Sequence, residues 1–292
     1  MCDTRVVRSE QAERWSETAW NDNTRRTTHV VKEMIALDLG LSLILLLVSI
    51  AFFSGIGITT IGPGGIFVTI ALYSLTPLAS SQVAGTAHAT FIVTGLVGSA
   101  AYRHSGEMKT GESRAIAVVL SGASVLGALV GASVNPFVPR SLFGFLLGGV
   151  AMAVGGTILY RERRGFSPIY DLEPLTRPGQ AVLAGLGFVL GIASGLLGIG
   201  GPVLAVPALV LVGVPMLLAV AVAQVQSIFI ATVAASGYFL QGNVLVSLAV
   251  VVGTPLLLGV IVGWRVAHVV DPEKLKVALG VVLLAVGPYL AL

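Results

Sequence analysis

Long apolar runs alternate with short polar stretches along the chain after residue 35. The first run covers about 36–58, the length a helix needs to cross a bilayer, ~20 residues. A glycine-rich break at 62–65 follows, then a shorter apolar helix at 66–75 that Pro77 ends. Full spans are predicted at about 78–102, 115–134 and 141–160. The second half repeats that order. A helix at about 180–197 meets a break, and a short helix at about 202–212 follows, with Pro215 just beyond. Spans at about 216–240, 244–264 and 275–290 complete the chain. Polar loops lie at 103–114 and 265–276, a proline-stopped turn at 135–140, and a tight turn at Gly242 and Asn243.

This pattern gives an all-α fold class: a polytopic helical membrane protein built of two homologous repeats. Each repeat has an interrupted first helix followed by a short half-helix. The expected division is a polar tail at 1–35, a first repeat at 36–160, a polar linker at 161–179 and a second repeat at 180–292. The repeat is read from glycine register. At an offset of 136 residues Gly55-Ile56 falls on Gly191-Ile192, Gly62 on Gly198, and Gly64-Gly65 on Gly200-Gly201. Tyr102 falls on Tyr238 and Gly106 on Gly242. One spacing holding that far argues for an internal duplication.

Composition supports the membrane reading. The chain is 55% hydrophobic and 11% charged, with a mean hydropathy of +0.93. A soluble domain carries about 25% charged residues. Runs of this length also exclude a transmembrane barrel, whose strands are shorter and alternate. The net charge of +3 is modest and its basic residues share loops with acids, which argues against nucleic acid as a partner. Cys2, the only cysteine, excludes internal disulfides and cysteine metal sites. The tail has no apolar core, so it is not a signal peptide. The expected location is the plasma (inner) membrane, multi-pass, with the lipid bilayer as surroundings. Homo-oligomer formation is left open.

Topology has two solutions. The loop at 103–114 is basic and its counterpart at 241–243 is uncharged, whereas the turn at 135–140 has one Arg and its counterpart at 265–276 has three basic residues. That swap favours inverted repeats and ten crossings. Re-entrant short helices would instead give parallel repeats and eight crossings.

Paired, glycine-interrupted apolar segments are the best sequence pointer to a transporter's binding site. The candidate substrate-binding residues are Gly62, Gly64 and Gly65 in the first break and Gly198, Gly200 and Gly201 in the second. Helix N-termini carry partial positive charge and free N–H donors, so two of them meeting would hold an anion without a buried Lys or Arg. The bland alternative is close helix packing through small residues. No charged residue sits in the middle of a span, which counts against cations and against an Asp/Glu proton relay. Thr86, His88 and Thr90 follow the first short helix, and Gln224, Gln226 and Ser227 follow the second. They are candidates to complete the anion's shell, with His88 also a candidate proton carrier; interhelical hydrogen bonding explains them equally well. Tyr102 and Tyr238 end equivalent spans and are expected to anchor at the interface. An intramembrane serine protease would pair Ser194 with His88, but Ser194 aligns with Ile58 in the other copy.

The Gly-x-Gly-Gly break, the short helix with Pro nearby and the span ending in Tyr-x-x-x-Gly together resemble the TauE/SafE family. These are sulfite and organosulfonate exporters, also called the toluene-sulfonate uptake permease family. The resemblance covers about 38–292 and is strongest at Gly198-Ile199-Gly200-Gly201-Pro202 through Pro207, then Tyr238-Phe239-Leu240-Gln241-Gly242. The first copy departs, with Pro63 inside the glycine motif and Ala71 where the second copy has Pro207. The small-Thr-Ser stretch common after the short helix stands here as Gly85-Thr86-Ala87-His88 and is missing from the second copy. The resemblance implies a non-enzymatic secondary transporter for a small sulfur-containing anion, without organic cofactor or ATPase domain.

Overall fold

The computed structural model describes residues 40–106, 108, 110–164, 172–267 and 272–291. The tail expected at 1–35 and the middle of the linker lie outside them. The described residues form α1 (Leu41–Thr60), α2 (Ile66–Leu75), α3 (Ser80–Ser105), α4 (Gly111–Val134) and α5 (Arg140–Arg164). In the second half they form α6 (Arg177–Leu197), α7 (Gly201–Leu211), α8 (Met216–Leu240), α9 (Val246–Ala267) and α10 (Pro272–Ala291). Short 3-10 turns stand at Pro63–Gly65 and Asn135–Phe137. Among the described residues, seven helices are long and apolar enough to cross a membrane, namely α1, α3, α4, α5, α6, α8 and α9. The helices α2 and α7 and the apolar part of α10 are shorter.

Helices reach further into the polar stretches than the apolar runs do, with α3 ending at Ser105, α4 starting at Gly111 and α9 ending at Ala267. The expected linker at 161–179 is helical at both margins, because α5 runs to Arg164 and α6 begins at Arg177. An apolar run marks where a helix meets lipid, and its hydrogen bonding continues into the polar layer. Thr176 fixes the start of α6, since its Oγ1 accepts the Gly179 N–H at 3.2 Å.

Small residues let the long helices touch backbone to backbone. The main pairs are α4 with α6, α1 with α9, α5 with α10, and α3 with α8. On α4, Gly127 lies against Phe188 and Ile192 of α6, and Gly131 lies against Ile192 and Leu196. A Cβ on Gly127 would collide with the Phe188 carbonyl oxygen. Gly259 and Gly263 of α9 pack in the same way on Phe52 and Ile56 of α1. Lipid gives apolar helices no hydrophobic reason to associate, so close contact has to supply the attraction.

These contacts also fix helix directions. Moving forward from Gly127 to Gly131 moves forward along α6, so α4 and α6 are parallel; α9 and α1 are parallel by the same test. On α3, Gly85 meets Tyr238 and Gly98 meets Gln224, so α3 and α8 are antiparallel. On α5, Gly148 meets Gly287 and Gly155 meets Gly280, so α5 and α10 are antiparallel too. Thr86 pairs with Leu245 and Ser105 with Trp264, which makes α3 parallel to α9. Thus α1, α3, α5 and α9 run one way, and α4, α6, α8 and α10 run the other. Because α1 and α3 share a direction, α2 carries the chain back between them; α7 does so between α6 and α8.

Charge follows from this. Arg103, Arg114, Arg161, Arg177, Arg265 and Lys276 all fall at helix ends on one face of the bundle. Arg140 stands on the opposite face. Its guanidinium donates to the carbonyls of Tyr73, Thr76 and Leu78 and lies 4.5 Å over the Tyr73 ring. A cation there closes the negative C-terminal end of α2.

The packing predicts a contrast within one helix. Gly127→Ala forces the α4/α6 seam apart and should cost about 1–3 kcal/mol. A Cβ on Gly122 meets nothing within 4 Å, so Gly122→Ala should leave stability unchanged or slightly raised. Thermal unfolding in detergent checks both, and equal melting temperatures would contradict the seam.

Candidate functional site

In the second half, α6 stops at Gly198, whose φ of +66° is a left-handed cap that favours glycine. Gly200, at φ +73°, turns the chain into α7, and Pro202 sits in the first turn, where a missing N–H does no harm. In the first half, the Ile61 and Gly62 amides both return to the Gly57 carbonyl, at 3.1 and 3.0 Å. Pro63 then opens the 3-10 turn that leads into α2.

A helix that stops inside an apolar bundle leaves carbonyls without partners, and each unpaired one is costly. Here the cap supplies one donor, the Gly198 N–H to the Ser194 carbonyl at 2.8 Å, and other elements supply the rest. The Ser194 carbonyl faces His88 Nε2 at 3.0 Å, and the Gly195 carbonyl accepts from the Tyr238 hydroxyl at 2.9 Å. The Leu196 carbonyl accepts from Asn135 Nδ2 at 2.6 Å, and the Gly198 carbonyl accepts from the Thr69 hydroxyl. A carbonyl only accepts, so His88 carries its hydrogen on Nε2. At the end of α1, Gln224 Nε2 donates to the Ile58 carbonyl at 3.3 Å and the Tyr102 hydroxyl donates to the Thr59 carbonyl. His88 and Gln224 stand at the 136-residue offset, and so do Tyr102 and Tyr238, Thr59 and Gly195, and Ile58 and Ser194. The two tyrosines are therefore not interfacial anchors; both are 0% exposed and brace the breaks.

The two breaks meet. Gly62 lies against Val206 of α7, Thr69 of α2 reaches Gly198, and a Cβ on Gly65 would stand 3.4 Å from the Ile199 carbonyl oxygen. The short helices thus run past each other with their N-terminal ends together. Gly62, Gly64, Gly65, Gly198, Gly200 and Gly201 are all buried there. The Gly201 N–H points to the Ser227 hydroxyl at 3.4 Å.

The flanking polar side chains divide into two groups. His88, Gln224 and Ser227 reach the breaks. Thr86 accepts the Leu245 amide at 3.2 Å, at the start of α9, and Thr90 turns back to its own helix at Ala87, 2.7 Å away. Gln226 donates to Ser124 on α4 at 2.7 Å. Helical spacing alone could not separate the groups, because α3 and α8 each have several packed neighbours. His88 meets Ser194 through the backbone carbonyl and not the hydroxyl, so the pair is not arranged as a serine nucleophile and its base.

Three residues at the crossing were not legible as site residues. Asn135 falls in the proline-stopped turn, and neither Thr69 nor Phe91 is singled out. Register offers a signal for Phe91 alone, which aligns with Ser227 at the shared offset, whereas Thr69 falls on Ala205.

A small cavity of about 30 Å³ reaches the crossing from the basic face. Ile61, Pro63, Val206 and Pro207 are among its lining residues, with Arg161 and Lys276.

The family model for the sulfite exporter TauE/SafE matches residues 44–290. A relative from Bacillus subtilis (strain 168), described as "Probable membrane transporter protein YdhB", is 25% identical over 243 residues. That match spans 80% of this chain and 95% of the relative. No solved structure matches. The paired breaks and their braces are thus the centre of a multi-pass membrane protein, and the chain belongs to the TauE/SafE family of membrane transporters.

Proposed function

We propose that the protein carries a small sulfur-containing oxyanion or organosulfonate across the plasma membrane, outward, and binds it where the two breaks meet. The observation behind this reading is that the starts of α2 and α7 converge while the neighbouring carbonyls are already occupied by donors. Carbonyl dipoles near an anion would repel it. With those ends capped, the amide ends dominate the local field. The sulfur-containing substrate is taken from the family's description. Outward movement of an anion is downhill when the inside is negative, by about 2.3 kcal/mol per charge per 100 mV.

On this reading the halves, 36–160 and 180–292, are inverted repeats. The antiparallel pairs α3/α8 and α5/α10 support it, because each joins helices that correspond at the shared offset. The basic face is then cytoplasmic. In a Cys2→Ser background, Gln241→Cys should react with an impermeant thiol reagent on intact cells, and Glu112→Cys only after lysis. The reverse pattern would overturn the orientation.

The anion site is tested by thermal shift of the purified protein with sulfite, sulfoacetate, taurine and chloride. A bound ligand at 100 times its Kd stabilises by about 2.7 kcal/mol. Sulfite or sulfoacetate should raise the melting temperature and chloride should not. Gly201→Leu, whose side chain would press on Ala223 and Ser227, should abolish both the shift and transport while the protein still inserts. Full transport by that variant would remove the site.

His88 has a built-in control, since Gln224 holds the corresponding place. If its role is to donate to the Ser194 carbonyl, His88→Gln should keep transport within about threefold, a barrier change under 1 kcal/mol. His88→Ala should lose more, because the Ser194 carbonyl keeps only the Gly198 N–H and the space the imidazole fills between Phe91 and Tyr238 is emptied. Loss of transport in both, with the fold intact, would assign His88 a proton instead.

A further inference from the structure

We propose that the Phe91 ring is the plug of the crossing and determines which anions reach the amides at the start of α7. This rests on the anion site proposed above and adds a side chain that excludes small hydrated ions from it.

Phe91 lies on α3, is 2% exposed, and touches both breaks. A Cβ on Gly65 would stand 3.4 Å from its Cε1, and a Cβ on Gly200 would stand 3.3 Å from its Cδ2. One ring therefore bridges the glycines of the two halves. The corresponding place on α8 is held by Ser227, whose hydroxyl faces the Gly201 N–H at 3.4 Å. The crossing has a hydroxyl on one side and a hydrocarbon wall on the other.

The consequence is chemical. The Ser227 contact is long, so an incoming oxygen could replace it at little cost. The ring offers an anion no hydrogen bond, and an ion stripped of water without a partner is expensive. A halide has a single centre to set against the Gly201 amide and the Ser227 hydroxyl, whereas an oxyanion can present an oxygen to each. The hydrocarbon edge of an aromatic ring is its positive part, and an anion of either kind can approach that edge but not the face. His88 packs edge-on against Phe91, with centroids 6.4 Å apart, and Tyr238 stacks beyond His88 at 6.3 Å. The ring is thus held from one side by the residues that brace the second break. For an anion to enter, the ring must turn away.

The test uses a cysteine reporter that does not depend on transport. In a Cys2→Ser, Ser227→Cys background, a negatively charged methanethiosulfonate reagent is applied to the protein in liposomes. Phe91→Ser, which gives α3 the residue α8 carries, should speed modification about tenfold, a barrier lowering of about 1.4 kcal/mol. Phe91→Leu should have a smaller effect. With Ser227 intact, Phe91→Ser should also raise chloride flux relative to sulfite flux. Modification rates that ignore the residue at 91 would overturn the plug, even if sulfite still moves. Faster modification with no anion bound or moved by any variant would keep the plug and remove the anion reading. If Phe91→Ser fails to assemble, Phe91→Ala and Phe91→Leu carry the comparison. The rate must rise with the volume removed, and a flat series would sink the proposal.

Discussion

A helix that ends inside a membrane must find partners for its last carbonyls, and the rest of this bundle is arranged around that requirement. Water cannot supply them, and a neighbouring helix has spent its own backbone donors. Apart from the Gly198 amide, which closes onto the Ser194 carbonyl, the donors come from side chains brought from several directions to one place. At the end of α6 they come from α3, α8, α2 and the turn at Asn135. At the end of α1 they come from α3 and α8. Each break is thus braced by both halves, and neither end is satisfied without the other.

That exchange accounts for the packing. For His88 to reach α6 and Gln224 to reach α1, α3 and α8 must lie side by side between the breaks. Their antiparallel seam puts Gly98 against Gln224 and Gly85 against Tyr238. The outer seams, α1 with α9 and α4 with α6, then hold the broken helices in place through glycine contacts. Arg140 closes the far end of α2 in the same spirit, with its charge on three carbonyls.

The electrostatic result is a separation of roles at the crossing. Carbonyl ends are neutralised by local donors, while the Gly201 amide at the start of α7 faces the Ser227 hydroxyl. No formal charge is buried to achieve this, which avoids the desolvation cost of a Lys or Arg in the same position. The halves are not interchangeable, however. Phe91 against Ser227, and Ile58 against Ser194, make one side of the crossing apolar and the other polar, an asymmetry set by single positions within a shared register.

The sequence by itself determined the helices, the two breaks and the family. Lipid imposes a length and an apolar run on each span, glycine and proline mark where a helix cannot continue, and both are local properties. It also carried the correspondence of His88 with Gln224, because register survives in one dimension. The tertiary structure alone decided what those residues touch. Tyr102 and Tyr238 look like interfacial anchors until the fold turns both hydroxyls onto break carbonyls. Thr86, Thr90 and Gln226 share a helical neighbourhood with His88 and Ser227, yet point to α9, to their own helix and to α4. A buried helix has neighbours on every side, so periodicity reports that a residue is inside but not which partner it faces. That choice is made by helix direction and seam, which emerge only when all the spans are packed together.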